Sequence, residues 1–181
     1  MIRAFVAIAP PEEARDALSD IQTGLPRVSW TPEENLHLTL LFVGAQPRRA
    51  LEDFDAGLAG IRVPPFELEL KGVGAFGKRE AARALFAGLA ESAPLRRLQA
   101  KVAGAARDAG LSFDERRFAP HVTLARLRGG DATPSALAAY AARHALFEAA
   151  PFLVESFALI RSDLSRTGAR YEAMAEYPLA P

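Results

Sequence analysis

Two short stretches of this chain carry residue types suited to acid–base chemistry, and both have the same pattern. Residues 37–40 read His-Leu-Thr-Leu and residues 121–124 read His-Val-Thr-Leu. The chain contains three histidines, so His37 and His121 account for all but one of them. An imidazole titrates near pH ~6.5, so one histidine of a pair can accept a proton while the other, already protonated, donates one. We therefore interpret His37 and His121 as candidate catalytic residues.

The threonines of the two stretches suit a phosphate substrate. In an in-line displacement at phosphorus, the proton acceptor and the proton donor stand on opposite sides of the reacting atom, and two histidines can fill these positions. The hydroxyls of Thr39 and Thr123 can donate hydrogen bonds to the non-bridging oxygens without adding charge. The repeat thus indicates phosphoryl chemistry in which His37 and His121 transfer protons while Thr39 and Thr123 bind the phosphate.

Metal and thiol chemistry find little support in the sequence. The chain has no cysteine, which excludes disulfides, thiol nucleophiles and cysteine-ligated metals. No Asp or Glu stands at metal-ligand spacing from the repeat, so we predict neither a metal nor another cofactor. The third histidine, His144, lies in an alanine-rich helical stretch and is predicted to be a surface or helix-end residue.

The residue pattern places both stretches on β-strands. Polar and apolar residues alternate, so each histidine shares one strand face with its threonine, while the apolar residues share the other. We predict the first motif strand over 36–43, stopped by Gly44, and the second after the lead-in of residues 118–120, running to about Leu127. A helix is predicted soon after each strand, at about 47–59 and 133–146.

The two halves of the chain follow a similar order of elements. Strands alternate with helices, but several strands are also sequence neighbours, which favours an α+β fold of mainly antiparallel sheet with outer helices. We predict one bilobal domain over residues 1–181, with lobes related by a pseudo-twofold axis across a central cleft. We also expect a turn-rich passage at Gly72, Gly74 and Gly77, and a polar loop at residues 161–168.

One cation and three aromatic residues could add further contacts. Arg126 follows the second stretch, where a guanidinium could bind the phosphate. Strict alternation puts Arg126 on the face away from the site, so it reaches the site only if the strand ends or bulges there. Trp30, Phe42 and Phe86 could stack on a nucleobase, although burial in the core is the more common role of such residues.

The two stretches and their surroundings resemble the 2H phosphoesterase superfamily. Residues 35–44, Asn-Leu-His-Leu-Thr-Leu-Leu-Phe-Val-Gly, look like the first signature of the bacterial and archaeal RNA 2′,3′-cyclic phosphodiesterases, also called 2′-5′ RNA ligases. Residues 118–126, Phe-Ala-Pro-His-Val-Thr-Leu-Ala-Arg, look like the second signature. The opening residues 3–8, Trp30 and the closing passage 162–177 also look familial, so the resemblance covers essentially the whole chain.

This resemblance implies a bilobal α+β enzyme that opens a 2′,3′-cyclic phosphate at an RNA end to a 2′-phosphomonoester without a metal. The other activity that it implies is the joining of tRNA halves through a 2′-5′ linkage. It carries the catalytic pair over to His37 and His121, and phosphate binding to Thr39 and Thr123. Arg126 matches a family arginine, which implies that it binds substrate.

The sequence departs from the family pattern at two places. Position 41 is often basic in the family, but here it is Leu41, which alternation would place on the site face beside residues 37 and 39. A possible cation at the mouth of the site is therefore missing, and we expect any cationic contact from the motif strands to come from the second lobe. Residues 76–86 match the family poorly, and no role is carried over to them.

Three kinds of function remain open. The site could act on RNA ends, act on a small cyclic nucleotide, or only bind RNA ends or phosphate without catalysis. The formal net charge is +0, which weakly favours short substrates. No apolar run approaches the ~18 residues of a membrane span, so we expect a cytoplasmic protein without membrane contact. We also expect a monomer, because no long apolar stripe is left over.

Overall fold

Ten strands and four helices make up the part of the chain that the structure describes. The structure is a computed structural model, and it describes residues 1–78, 81–115, 117–165 and 168–181. The strands are β1 (Ile2–Ile8), β2 (Ser29–Trp30), β3 (Leu38–Gln46), β4 (Phe66–Leu68), β5 (Leu70–Lys78), β6 (Ala81–Leu89), β7 (His121–Arg126), β8 (Phe152–Val154), β9 (Ser156–Ser165) and β10 (Gly168–Pro178). The helices are α1 (Glu12–Asp20), α2 (Arg48–Ala59), α3 (Ala93–Asp108) and α4 (Pro134–Arg143).

Eight of the strands form one antiparallel sheet. Its order is β10-β9-β1-β3-β7-β6-β5, and β2 pairs with β7 outside this path. The first four strands of that order form one lobe and the last three form the other. β3 and β7 join the lobes through a single residue pair, Leu38 with Val122. The motif strands are therefore neighbours at the centre of the sheet, and the predicted α+β fold with two antiparallel lobes is confirmed.

Apolar residues at helical spacing hold the helices against one face of the sheet. In α2, for example, Leu51, Phe54 and Leu58 are three and four residues apart and all are buried. They belong to the same hydrophobic core as Leu38 and Val122 of the central strands. The core thus supports the motif strands from behind, and the histidines and threonines occupy the opposite face.

Helix α4 anchors the segment that leads into the first motif. Its N-cap is Thr133, whose hydroxyl accepts a hydrogen bond from the backbone N–H of Ala136. Near its other end, the buried hydroxyl of Tyr140 donates to the backbone carbonyl of Ile21 at 2.7 Å, and burial raises the pKa of Tyr140 to about 12. The helix ends at Arg143, earlier than predicted, and His144 is the residue that caps it.

Two of the predicted features differ from the structure for local reasons. β3 passes through Gly44 to Gln46, because Gly44 adopts a φ of 69° beside an unpaired Val43 instead of ending the strand. The glycine passage predicted to be turn-rich lies within β5. Glycine is required at position 74, since a Cβ there would lie 2.5 Å from Cζ of Phe86 on the neighbouring strand.

The predicted polar loop at residues 161–168 is instead part of a hairpin. Residues 161–165 extend β9 and Gly168 begins β10, while residues 166 and 167 lie outside the described part of the chain. The exposed side chains of Asp163, Leu164 and Ser165 show that this hairpin projects into solvent, so its strands need no apolar face. None of the helices among the described residues is long and apolar enough to cross a membrane.

Candidate active site

Each motif histidine is fixed by the backbone just before it. Nδ1 of His37 donates a hydrogen bond to the backbone carbonyl oxygen of Asn35 at 2.7 Å, and Nδ1 of His121 donates to that of Ala119, also at 2.7 Å. A carbonyl oxygen can only accept, so the proton of each neutral ring lies on Nδ1, and Nε2 is unprotonated. Both rings can therefore accept a proton at Nε2 when neutral and donate one from Nε2 when charged.

The central strand pair brings the two motifs together. The antiparallel register around the pair that joins β3 and β7 sets His37 across from Thr123 and Thr39 across from His121. The positive charge of a protonated His121 influences the pKa of His37, in agreement with this proximity. The four residues of the repeat thus form one constellation, in which the histidines stand diagonally and each has a threonine opposite.

Two aromatic rings pack against each imidazole. The ring centroids of Phe5 and Tyr171 lie 4.8 and 5.3 Å from that of His37, with Tyr171 perpendicular to it. On the other lobe, the ring centroids of Phe76 and Phe86 lie 4.6 and 5.7 Å from the imidazole centroid of His121. These rings remove water from the sides of the imidazoles and leave less room for them to rotate.

Desolvation lowers the pKa of both histidines. For His37 it is the largest cause; the hydrogen bond to Asn35 opposes it, and the charges of Arg126 and His121 lower the pKa further. For His121, desolvation also lowers the pKa and the hydrogen bond to Ala119 opposes it. Neutral imidazoles therefore predominate at pH 7. Desolvation and the charges of Arg126 and His121 lower the pKa of His37, whereas desolvation alone lowers that of His121.

A β-bulge returns Arg126 to the site. On β7, Leu124 has no partner on β6, and Leu124 and Ala125 are both buried. Alternation restarts after this bulge, so Arg126 lies on the face that carries His121. The effect of its charge on the pKa of His37 agrees with that position. The strand bulge that allows Arg126 to reach the site is therefore present.

Strand β3 has the same irregularity, which corrects the interpretation of Leu41. Leu40 has no partner on β1, and Leu40 and Leu41 are both buried. Phe42, 43 % exposed, therefore takes the place on the site face that Arg126 has in the other lobe. Position 41 offers the site no cation, and the nearby guanidinium of the first lobe is that of Arg3 on β1, which lies 4.7 Å from the centroid of the Phe42 ring.

The motif face lines an open cleft of about 900 Å³. Its lining includes Thr39, Phe42, Phe76, Arg83, Arg117 and His121. Arg83 and Arg117 outnumber Asp114 in this lining, and the charge of Arg126 acts on His37, so cations concentrate near the histidines although the formal net charge of the chain is +0. Among the residues that the structure describes, no three His, Cys, Asp or Glu side chains come together as metal ligands do.

The three aromatic stacking candidates have different surroundings. Trp30 pairs with Ala125 of β7, and its ring packs 6.0 Å from that of Tyr140 on the core side of the sheet. Phe86 is half-buried beneath Phe76, whereas Phe42 is exposed in the cleft. Phe42 is thus the candidate whose surroundings leave room for a base.

Arg117, in the segment before β7, is not predicted as a site residue from the sequence, and the same holds for five residues of other strands: Arg3, Phe5, Phe76, Arg83 and Tyr171. They come from strands that pair with the motif strands or lie beyond them, and alternation within one strand does not identify its neighbours. A weak signal for three of them exists, because Arg3 and Phe5 belong to the opening passage and Tyr171 to the closing passage that look familial.

Known proteins share both the sequence and the fold. The family model of the 2′-5′ RNA ligase superfamily matches residues 9–166. The chain belongs to this superfamily. The resemblance of the two motifs to this superfamily is thereby confirmed. A crystal structure of a Thermus thermophilus protein is 30 % identical to this superfamily member, with a TM-score of 0.83 over 98 % of each chain.

Two curated relatives of this superfamily member are named RNA 2′,3′-cyclic phosphodiesterase. One from Geobacillus stearothermophilus is 35 % identical over 183 residues, which are 97 % of this chain and 56 % of the relative. The chain thus spans little more than half the length of that relative. Another, from Aeropyrum pernix, is 33 % identical over 167 residues, which are 92 % of this chain and 93 % of the relative.

Proposed function

We propose that this member of the 2′-5′ RNA ligase superfamily hydrolyses the 2′,3′-cyclic phosphate ends of RNA to 2′-phosphomonoesters. His37 and His121 transfer the protons, and Thr39, Thr123 and Arg126 bind the phosphate. The observation that carries the proposal is the pair of Nδ1-anchored imidazoles, which the register of β3 and β7 sets diagonally across from each other with both Nε2 atoms free of this hydrogen bond. Residues 1–181 act as a single bilobal phosphoesterase domain.

The reaction needs two proton transfers on opposite sides of the phosphorus. Nε2 of a neutral imidazole takes a proton from water while the water oxygen bonds to phosphorus. The bond from phosphorus to O3′ breaks on the opposite side, and O3′ receives the Nε2 proton of the second, protonated imidazole. The phosphate stays on O2′, which gives a 2′-phosphomonoester and a free 3′-hydroxyl. Each transfer contributes about 10²–10⁴ in rate.

The surroundings of the two rings favour one assignment of these roles. Both rings have two aromatic walls, but only His37 also has the nearby charge of Arg126 among the causes that lower its pKa and favour its neutral form. We therefore assign proton acceptance to His37 and proton donation to His121. The hydroxyls of Thr39 and Thr123 donate to non-bridging oxygens, and the guanidinium of Arg126 balances their negative charge.

The superfamily name supports a second reaction at the same site. If the 5′-hydroxyl of another RNA end replaces water, O5′ bonds to phosphorus, the bond to O3′ breaks, and a 2′-5′ linkage forms. The proton transfers are the same as in hydrolysis. The relatives named RNA 2′,3′-cyclic phosphodiesterase support hydrolysis as the main activity of this chain.

Two other functions are alternatives to the hydrolysis of RNA ends, and measurements on the same protein test them. A small cyclic nucleotide could be the substrate, which the formal net charge of +0 favours. Alternatively, the cleft could bind RNA ends or phosphate without catalysis. A steep loss of affinity with added salt indicates several phosphate contacts and hence an RNA chain, whereas a shallow loss indicates a mononucleotide.

The decisive experiment measures turnover of 2′,3′-cyclic nucleotides and of short RNAs with such an end, in the presence of a chelator. We expect the 2′-phosphate isomer as the product, and a loss of at least about 10²-fold in kcat for His37→Ala and for His121→Ala. His144→Ala is the matched control, because this histidine lies at the end of α4 outside the cleft.

Each outcome of that experiment separates the candidates. Full turnover by either single histidine variant would refute the two-histidine mechanism. Binding of RNA ends by the wild type without any turnover would favour the non-catalytic module. Loss of turnover on chelation, restored by an added metal, would refute a metal-independent reaction.

The proposal includes a monomeric protein that works in the cytoplasm. No residue of a second copy is needed to complete the constellation of His37, Thr39, His121 and Thr123. Sedimentation at micromolar concentration tests the monomer, and fractionation of the source cells tests the location.

A further inference from the structure

The β5–β6 hairpin brings an open aromatic ring to the cleft beside His121. The Phe76 side chain is 37 % exposed, although a ring of this size is usually buried. Its centroid lies 4.6 Å from that of His121, and Phe76 and Gly77 both line the cleft. An exposed aromatic ring next to a reacting group is well placed to stack on a flat ligand.

The ring of Phe76 is supported from behind. Gly74 has no side chain, and a Cβ there would lie 2.5 Å from Cζ of Phe86, so glycine makes room for the Phe86 ring over β5. Phe76 stacks on that ring with centroids 4.3 Å apart and planes 29° apart. One face of Phe76 is therefore covered by Phe86, and its exposed surface remains available to a ligand.

A bulge on the same hairpin adds a cation. Ala82 pairs with Gly77 and Ala84 pairs with Phe76, so Arg83 between them has no partner on β5. Such a bulge interrupts alternation and re-aims a side chain, and Arg83 is exposed and lines the cleft. Arg83 forms no ion pair with any carboxylate among the described residues. Its guanidinium therefore remains available to bind a phosphate.

We propose that Phe76 and Arg83 form a subsite for a second nucleotide, the one that precedes the nucleotide bearing the cyclic phosphate. The base of this second nucleotide stacks on Phe76, and Arg83 binds the phosphodiester that links the two nucleotides. Phe42, exposed on the other lobe, leaves the terminal base a stacking surface of its own. The inference rests on the proposed function and deepens it, because it makes an RNA chain end a better substrate than a mononucleotide.

The charge distribution in the cleft supports this choice of ligand. A cyclic mononucleotide carries a single phosphate, which Thr39, Thr123 and Arg126 bind at the catalytic pair. That leaves Arg83, which lines the same cleft, without a phosphate. A dinucleotide brings a second phosphate together with a second base, and these are the two groups that the side chains of Phe76 and Arg83 recognise.

The test compares kcat/KM for adenosine 2′,3′-cyclic phosphate with that for the adenylyl-adenosine dinucleotide that bears the same cyclic end. We expect the wild type to prefer the dinucleotide roughly tenfold or more, the usual effect of one stacked base. Phe76→Leu and Arg83→Gln should each bring this ratio towards one. In Arg83→Gln, the salt dependence of the dinucleotide KM should also become shallower, by about 0.7 in log–log slope.

The matched control is Arg97→Gln, which removes the same charge from an exposed arginine of α3 that does not line the cleft. We expect it to keep the wild-type ratio. Because Arg83 is exposed, Arg83→Gln should fold even if Phe76→Leu does not, and thermal unfolding of each variant verifies this.

Three results would overturn the subsite. Equal kcat/KM of the wild type for both substrates would show that a second nucleotide is not bound. An unchanged ratio in both variants would show that the second nucleotide binds elsewhere. If the variants impair only transfer to a 5′-hydroxyl acceptor, these residues hold the acceptor instead of the preceding nucleotide.

Failure of the proposed function has a different signature, namely that neither substrate is turned over. In that case equilibrium binding of adenosine 3′-phosphate and of the corresponding dinucleotide tests the subsite directly. Tighter binding of the dinucleotide that Arg83→Gln abolishes would support the subsite, and equal binding would refute it.

Discussion

At the scale of single residues, the environment of the two histidines determines the pH at which they can work. Desolvation lowers the pKa of both His37 and His121. In the proposed two-histidine mechanism, the active form of the free protein has one ring neutral and the other protonated, and this form is most populated between the two lowered pKa values. We expect a bell-shaped plot of kcat/KM against pH, with its maximum on the acid side of about 6.5. A maximum on the alkaline side of that value would contradict this prediction.

In the proposed mechanism Arg126 binds the phosphate, and its charge also lowers the pKa of His37. Loss of a charged hydrogen bond to the phosphate typically lowers kcat/KM by about 10- to 100-fold, which we expect for Arg126→Gln. The pKa of His37 should rise at the same time, because the charge that lowers it is removed. Kinetics measures the first effect, and NMR titration of the imidazole measures the second.

Arg128→Gln is the control for this experiment, since it removes an equal charge from an exposed arginine two residues further along the chain. A normal kcat/KM in Arg126→Gln would show that the bulge on β7 does not bring the guanidinium to the phosphate. An unchanged pKa of His37 would show that the two side chains are farther apart than the structure has them.

At the scale of secondary-structure elements, Gly74 allows the two strands of the β5–β6 hairpin to carry stacked aromatic rings. In Gly74→Val the new side chain would occupy the place of the Phe86 ring. We expect lower stability, by about 0.5–1.5 kcal/mol for the lost contact between Phe76 and Phe86 alone. The preference for a dinucleotide should weaken as well. Urea unfolding and the two-substrate kinetics measure these effects.

Gly104 provides a matched comparison in α3. A Cβ at this position would meet nothing within 4 Å, and the residue lies in an ordinary helical conformation. Gly104→Ala should therefore stabilise the protein by about 0.5–1 kcal/mol, because alanine loses less backbone entropy in a helix. If Gly74→Val left the stability unchanged or raised it, the position of the Phe86 ring would not depend on the glycine beneath it.

The sequence predicts most elements of this fold but not the irregularities that position the site. Alternation identifies the motif strands, and apolar spacing identifies the helices, because both patterns are local. The bulges at Leu40, Leu124 and Arg83 depend on the partner strand, which the sequence of one strand does not specify. For this reason alternation gives the wrong face for Leu41, and it leaves Arg126 on the wrong face unless a bulge is assumed.

At the scale of the whole molecule, the site depends on strands from both ends of the chain. The walls of His37 come from Phe5 on β1 and Tyr171 on β10, whereas those of His121 come from the β5–β6 hairpin. The two lobes meet in the sheet at one residue pair, so the shared core behind the sheet must keep the histidines in register. The folding free energy therefore depends on the protonation state of His37 and His121.

The pH dependence of stability follows from this linkage. His37, His121 and His144 all have a lowered pKa in the folded protein, in each case chiefly through desolvation. Each titrates near ~6.5 in the unfolded chain. Below that pH the unfolded chain binds more protons, so the stability present above pH ~6.5 is lost as the pH falls through the lowered pKa values. The slope is at most about 1.4 kcal/mol per pH unit for each histidine.

We expect urea to unfold the protein at a lower concentration at pH 5.5 than at pH 7.5. Replacement of both His37 and His121 by Gln removes two of the three titrating rings and should reduce this difference, with only His144 left to contribute. His144→Gln alone should reduce it less, since the other two rings still titrate. If the double variant kept the full pH dependence, the loss of stability in acid would arise from carboxyl groups and not from the two imidazoles of the cleft.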